Sequence, residues 1–321
     1  MDSSWLKGLL SIFSETFKTI PKNPTLITWV AIAILIFNSL IYFVTLGFFR
    51  LLVNSFESMA ADPTNLDKIF SSLASIITYE LIMALIISLS SLFVAASTIF
   101  ASSMVIGGKT TTTVKGVFSR VIRSWKGPLV TWVYMALFLL GYMCVLFAIM
   151  YPFTLVLLSS PRVLLVTMYI FVGLGSVLGS YLLVDLSLGI VGSVVEQGIY
   201  GLEAIGKAAR IVKGMKLHGF VVNLVFGLVG WGFMKCLVWV GFRLPGAGQV
   251  VSPTGLAGLG WPTAGQILAG LVVANCFCLL KMLWWVAYSV MFYEGVKRHG
   301  EEVAQLEEDV EEYTKLSVTM V

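Results

Sequence analysis

Leu26-Ile27-Thr28-Trp29-Val30 recurs as Leu129-Val130-Thr131-Trp132-Val133, and each copy follows a segment rich in Lys and Arg. Each copy also opens a pair of long apolar runs. A third basic segment, around Lys207–Lys216, precedes a third pair. A unit repeated in this way sets architecture before any single residue does. The runs lie at about Thr25–Phe48, Ile76–Ile106, Leu129–Leu157, Val163–Val194, Phe220–Val240 and Ala264–Phe292. Each reaches the roughly twenty residues that a bilayer-spanning helix requires. The predicted fold class is all-α: an integral membrane helical bundle of six transmembrane helices, in three units of amphipathic helix plus hairpin. The transmembrane domain covers residues 1–296, with amphipathic helices at about 4–20, 112–126 and 200–216. An acidic tail occupies 297–321.

Composition agrees. Apolar residues make up 58% of the chain, charged residues 12%, and the mean hydropathy is +0.93. Soluble domains carry about twice that share of charge. Asp2 and the polar–apolar alternation of Met1–Thr19 do not fit a cleavable signal peptide, so the first span is expected to drive insertion. Cys144, Cys236, Cys276 and Cys278 lie inside apolar runs with no metal spacing and read as small packing residues.

Positive charge orients the spans. Lys7, Lys18 and Lys22 precede span one. Lys109, Lys115, Arg120, Arg123 and Lys126 follow span two. Lys207, Arg210, Lys213 and Lys216 follow span four, and Lys297, Arg298 and Lys315 follow span six. The opposite connections hold only Arg50, Lys68, Arg162 and Arg243. By the positive-inside rule both termini are expected to be cytoplasmic.

The basic segments are amphipathic. Trp5, Leu9, Phe13, Phe17 and Ile20 share one helical face; Val114, Val117, Val121 and Trp125 share another; Leu202, Ile205, Ala209 and Val212 form a third. Such helices are expected in the headgroup region, cations toward anionic lipid. They serve either as topology anchors or as a cytoplasmic collar of Glu196, Lys115, Arg120, Arg123, Lys207 and Arg210. The loop Leu51–Ser71 is acidic through Glu57, Asp62 and Asp67, whereas Leu244–Thr263 has no charge. In the tail, Val303, Leu306, Val310 and Tyr313 form a short seam among seven acids, and docking on the basic helices is its simplest use.

Several charges fall in apolar surroundings. An ionisable group at a span centre costs about 2.5–3.5 kcal/mol on insertion scales, so each needs a reason. Glu80, Asp185, Glu196, Lys235 and Lys281 are the candidates; the lysines either snorkel or pair with Asp185. Asp185, Gly189, Gly192 and Glu196 share one face, a packing seam with acids at its ends. In span two, Glu80, Ala84, Ser88, Ser91, Ala95, Thr98 and Ser102 form one stripe of small and polar residues. A tight interhelical seam explains such a stripe. A pore lining explains it too, with Glu80 repeated around a symmetry axis as a carboxylate ring behind the acidic vestibule of Glu57, Asp62 and Asp67.

Three blocks carry a family resemblance: Phe17–Val30 (FKTIPKNPTLITWV), Val191–Gly214 (VGSVVEQGIYGLEAIGKAARIVKG) and Phe292–Glu302 (FYEGVKRHGEE). They resemble, in order, segments of a plant family of multi-pass membrane proteins of unassigned function. That family is distantly similar to the membrane domain accompanying bacterial glycerophosphodiester phosphodiesterases. The resemblance implies a helical membrane fold and endomembrane or surface residence. It transfers no catalytic residue, because the phosphodiesterase barrel is absent from the chain.

Enzymatic chemistry is not expected. His218 and His299 have no partner suggesting a metal site or nucleophile dyad, and no phosphate-cradling glycine loop occurs. No cofactor, metal or nucleic-acid partner is expected. The leading expectation is a homo-oligomeric cation-permeable channel, with calcium the candidate ion, lined by span two. In this it is similar to small multi-pass calcium-permeable channels of the plant endoplasmic reticulum, an analogy that no residue motif carries. The endoplasmic reticulum or another endomembrane is favoured over the plasma membrane. The alternatives are a non-conducting scaffold or lipid-associated adaptor, binding anionic lipid at the basic helices and a cytoplasmic partner at the tail, and a small-solute transporter centred on Asp185 and Lys281.

Overall fold

The computed structural model describes residues 3–61, 65–107, 114–157, 161–196, 198–243 and 263–319; the side chains of 301–319 and of a few terminal turns lie outside that description. Every regular element among the described residues is a helix. In chain order these are α1 (Ser3–Lys22), α2 (Pro24–Ala61), α3 (Leu66–Ile106), α4 (Val114–Arg123), α5 (Lys126–Leu157), α6 (Pro161–Val195), α7 (Leu202–Ile211), α8 (Lys216–Arg243) and α9 (Ala264–Thr319). Among the described residues, each of the shorter helices α1, α4 and α7 is followed by two longer ones.

Local chemistry explains the ends. Pro21 sits in the last turn of α1, where it removes a helical donor, and Pro24 opens α2, where its fixed φ suits the first turn. At α9 the Thr263 amide donates to Gln266 Oε1 at 2.7 Å while the Gln266 amide donates to Thr263 Oγ1 at 3.3 Å. This reciprocal capping box starts the helix at Ala264.

Among the described residues six helices, α2, α3, α5, α6, α8 and α9, contain stretches long and apolar enough to cross a membrane. The chain is therefore a multi-pass membrane protein. Leu137, Phe147, Leu165 and Tyr169 stand exposed on α5 and α6, which hydrocarbon tolerates and water does not. Cys144 and Cys236 are likewise exposed, while Cys278 is buried.

One expectation needs correction. Most of the predicted loop Leu51–Ser71 is helix, because α2 continues to Ala61 and α3 begins at Leu66. No glycine or proline interrupts the chain between Arg50 and Pro63, so nothing ends α2 earlier. The tail backbone, likewise free of Gly and Pro beyond Gly300, continues α9 to Thr319. Its expected docking seam, Val303, Leu306, Val310 and Tyr313, lies outside the described side chains, and residues 244–262 lie outside the described residues.

The chain forms two compact units: residues 1–23, 99–224 and 285–321, and residues 24–98 and 225–284. In the first, Val184, Leu188, Val191, Ala208, Val212, Tyr288 and Met291 are buried. In the second the core includes Val30, Ile34, Leu92, Ala95 and Cys278.

On α1 and α7 the buried face is not the expected one but lies one residue before it along the helix, a turn of about 100°; on α4 the expected face is the buried one. On α1, Ile12, Thr16 and Thr19 are buried while Phe17 is exposed; Trp5 and Ile20 lie outside the described side chains. On α4, Val117 and Val121 are buried as expected. On α7 the buried residues are Ala204, Ala208 and Ile211, with Val212 at the cap, and Leu202 is exposed. Small residues let these helices approach neighbours closely.

Candidate functional site

The first unit contains a cleft of about 890 Å³ whose wall includes Arg120, Arg123, Lys126, Glu196, Tyr200 and Tyr293. It is built from the end of α3, the α4–α5 junction, the end of α6 and α9. Burial of Val117 and Val121 turns Arg120 and Arg123 outward, since residues three apart share a face. The Arg120 guanidinium stacks 5.6 Å from the Phe100 ring centroid, a contact that arginine's planar, weakly hydrated head favours.

The acid on the wall is already committed. Lys207 Nζ donates to Glu196 Oε2 at 2.5 Å. Arg120, Arg123 and Lys126 therefore leave the cleft with an excess of positive charge. Glu196 and Lys207 are held in register by the packing of α7 on α6. A Cβ at Gly189 would fall 2.8 Å from Ile205 Cγ1, so glycine allows this close approach. Gly201, with φ 66°, starts α7, and its amide donates to Thr131 Oγ1 at 2.9 Å. That bond ties α7 to α5 through one threonine of the repeated pentad.

The other expected residues fall elsewhere. Lys115 is exposed on α4 and outside the cleft wall; Arg210 lines a separate opening of about 680 Å³ with Lys213, Arg298 and His299. Asp185 is paired within its own unit by Lys216, whose Nζ donates to Oδ2 at 2.7 Å, while Oδ1 is buried without a hydrogen-bond partner among the described residues. The sequence puts Lys216 in the connection after span four, but α8 begins with it, which brings its long stem back along α6. Beside this pair, Tyr288 donates to Asn223 Oδ1 at 2.7 Å and Asn223 donates to the Ser180 carbonyl at 2.9 Å. The polar network joins α6, α8 and α9, and its members gave no signal beyond being polar residues in apolar runs.

The span-two stripe is not uniform. Glu80 and Ala84 are exposed, Ser88 and Ser91 half-buried, and Ala95, Thr98 and Ser102 buried. In the first unit Ser102 donates to Ser289 Oγ at 2.9 Å, so that end of the stripe is an interhelical seam. Asp67 is exposed in the first turn of α3; Asp62 and the Glu57 side chain lie outside the description. In the second unit Lys235 and Lys281 each fold over the aromatic ring one turn earlier: Trp231 at 5.1 Å and Phe277 at 4.9 Å from the ammonium. Among the described residues no group of His, Cys, Asp and Glu is arranged to hold a metal ion.

Residues 5–320 match the model of a domain of unknown function, DUF8558, and the chain belongs to that family. No curated protein and no solved structure matches it.

Proposed function

We propose that the protein is a lipid-associated membrane scaffold that holds an anionic phospholipid headgroup in the basic cleft of its first unit. The carrying observation is the cleft itself: Arg120, Arg123 and Lys126 line it, and its acid Glu196 is neutralised by Lys207. Arginine presents a planar fork of donors suited to phosphate oxygens, and basic pockets at helix ends take anionic headgroups. The positive-inside rule puts both termini, and the basic cleft with them, at the cytoplasmic leaflet, where such lipids concentrate. The test is thermal stability of the purified full-length protein in neutral detergent, titrated with phosphatidic acid or phosphatidylcholine. Phosphatidic acid is expected to raise the melting temperature, and Arg120→Gln with Arg123→Gln to weaken that response on the order of tenfold. Equal stabilisation by both lipids rejects the reading.

A second reading, a homo-oligomeric cation channel, is favoured by one observation: Glu80 and Ala84 remain exposed along one face of α3. A shared face of that kind supplies a carboxylate ring at a pore mouth. Purified oligomer is then expected to conduct cations in a planar bilayer, with cation preference reduced by Glu80→Ala. Silent bilayers containing verified oligomer reject it.

A further inference from the structure

We propose that the second unit binds a long-chain fatty acid, its carboxylate set against Lys281 in a cavity between α2, α3, α8 and α9. The partly open cavity measures about 230 Å³, and Phe37, Ile41, Ile87, Val94 and Phe233 contribute apolar wall. Lys281 lies near the middle of the apolar stretch Ala264–Gly300 and is half-buried. It is the one charged residue on the wall, and among the described residues no carboxylate pairs with it.

Asn38, Tyr42, Thr45 and Ser90 on the wall already have hydrogen-bond partners. Asn38 Nδ2 donates to Asn275 Oδ1 at 2.9 Å, and Asn275 Nδ2 donates to Ser39 Oγ at 3.0 Å. Tyr42 donates to the Ile267 carbonyl at 3.1 Å and Ser90 to the Ile87 carbonyl at 2.8 Å. These bonds hold the wall and leave the Lys281 ammonium, over the Phe277 ring, as its positive pole, with no carboxylate on the wall. A cation in that position is stabilised most by a charge of opposite sign brought from outside.

The chemistry selects among anions. Lysine is a point charge on a flexible stem and suits a monoanion. Phosphate recognition uses arginine forks or several converging donors, which this wall lacks. The cavity is smaller than the ~300–1,000 Å³ of drug-sized pockets. It suits a carboxylate and the first part of an alkyl chain, with the rest among lipid tails. The basic cleft belongs to the other unit, so this site and the proposed scaffold role stand or fall separately.

The test is equilibrium binding of radiolabelled oleate and methyl oleate to the full-length protein in phosphatidylcholine nanodiscs. Oleate is expected to bind saturably and on the order of tenfold more tightly than its methyl ester, the usual worth of a hydrogen bond to a charged group. Lys281→Met is expected to lose that preference and Lys281→Arg to keep it. Absent saturable binding, or equal affinity for oleate and methyl oleate in the unaltered protein, overturns the proposal without any variant. Undiminished oleate binding by folded Lys281→Met also overturns it. Displacement of oleate by phosphatidic acid more readily than by unlabelled oleate reassigns the site to a phospholipid and overturns it too.

Discussion

The two copies of the pentad have nearly the same residues and opposite environments. In the first, Leu26 and Val30 are buried, at 5% and 1% exposure, while Thr28 and Trp29 are exposed. In the second, Thr131 is fully buried, while Val130 and Val133 are exposed at 36% and 45%. The first copy contributes apolar side chains to a core. The second contributes a hydroxyl, which accepts from the Gly201 amide and donates to the Gly127 carbonyl at 3.1 Å. A repeated sequence therefore starts a membrane helix in both places without choosing which face meets protein. A helix flanked by hydrocarbon on any side gains little from rotating one apolar residue in place of another, so the neighbours decide.

This contrast is best broken at the valines. Val30→Ala removes buried packing and is expected to cost about 2 kcal/mol. Val133→Ala exchanges one lipid-facing side chain for another and is expected to cost less than about 0.5 kcal/mol. Denaturation of the purified protein in mixed micelles measures both; equal losses erase the distinction. The threonines sharpen it in the other direction. Thr131→Val leaves the Gly201 amide unmatched at the start of α7 and is expected to cost about 1 kcal/mol. Thr28→Val is expected to change stability by less than about 0.5 kcal/mol. A loss at Thr28 as large as that at Thr131 would place both copies in equivalent roles.

The polar residues inside spans separate what was legible from what was not. Asp185 is recognisable as an expensive group that requires a partner, but its spacing does not choose among Lys216, Lys235 and Lys281. Lys216 wins because it starts α8 and its side chain can reach Asp185 on the neighbouring helix. The stripe of α3 is legible as a face and not as an environment: Ser102 meets Ser289 while Glu80 is exposed. Arg120 and Arg123 read as one polar face of α4, but their meeting with Glu196 and Tyr293 depends on elements more than seventy residues away along the chain. Sequence periodicity reports which residues of one helix share a side. It carries no record of what another helix places opposite.

The sequence by itself determined that this is a multi-pass helical membrane protein, because apolar run length and the distribution of breakers answer to the bilayer and the backbone alone. It also determined where α2 and α9 start, through Pro24 and the Thr263–Gln266 box. Tertiary structure decided which charges are neutralised, which half of the α3 stripe is packed, and that, among the described residues, no carboxylate stands beside Lys281 in its cavity. Those are matters of distance between segments remote in the chain, and electrostatic energy depends on that distance.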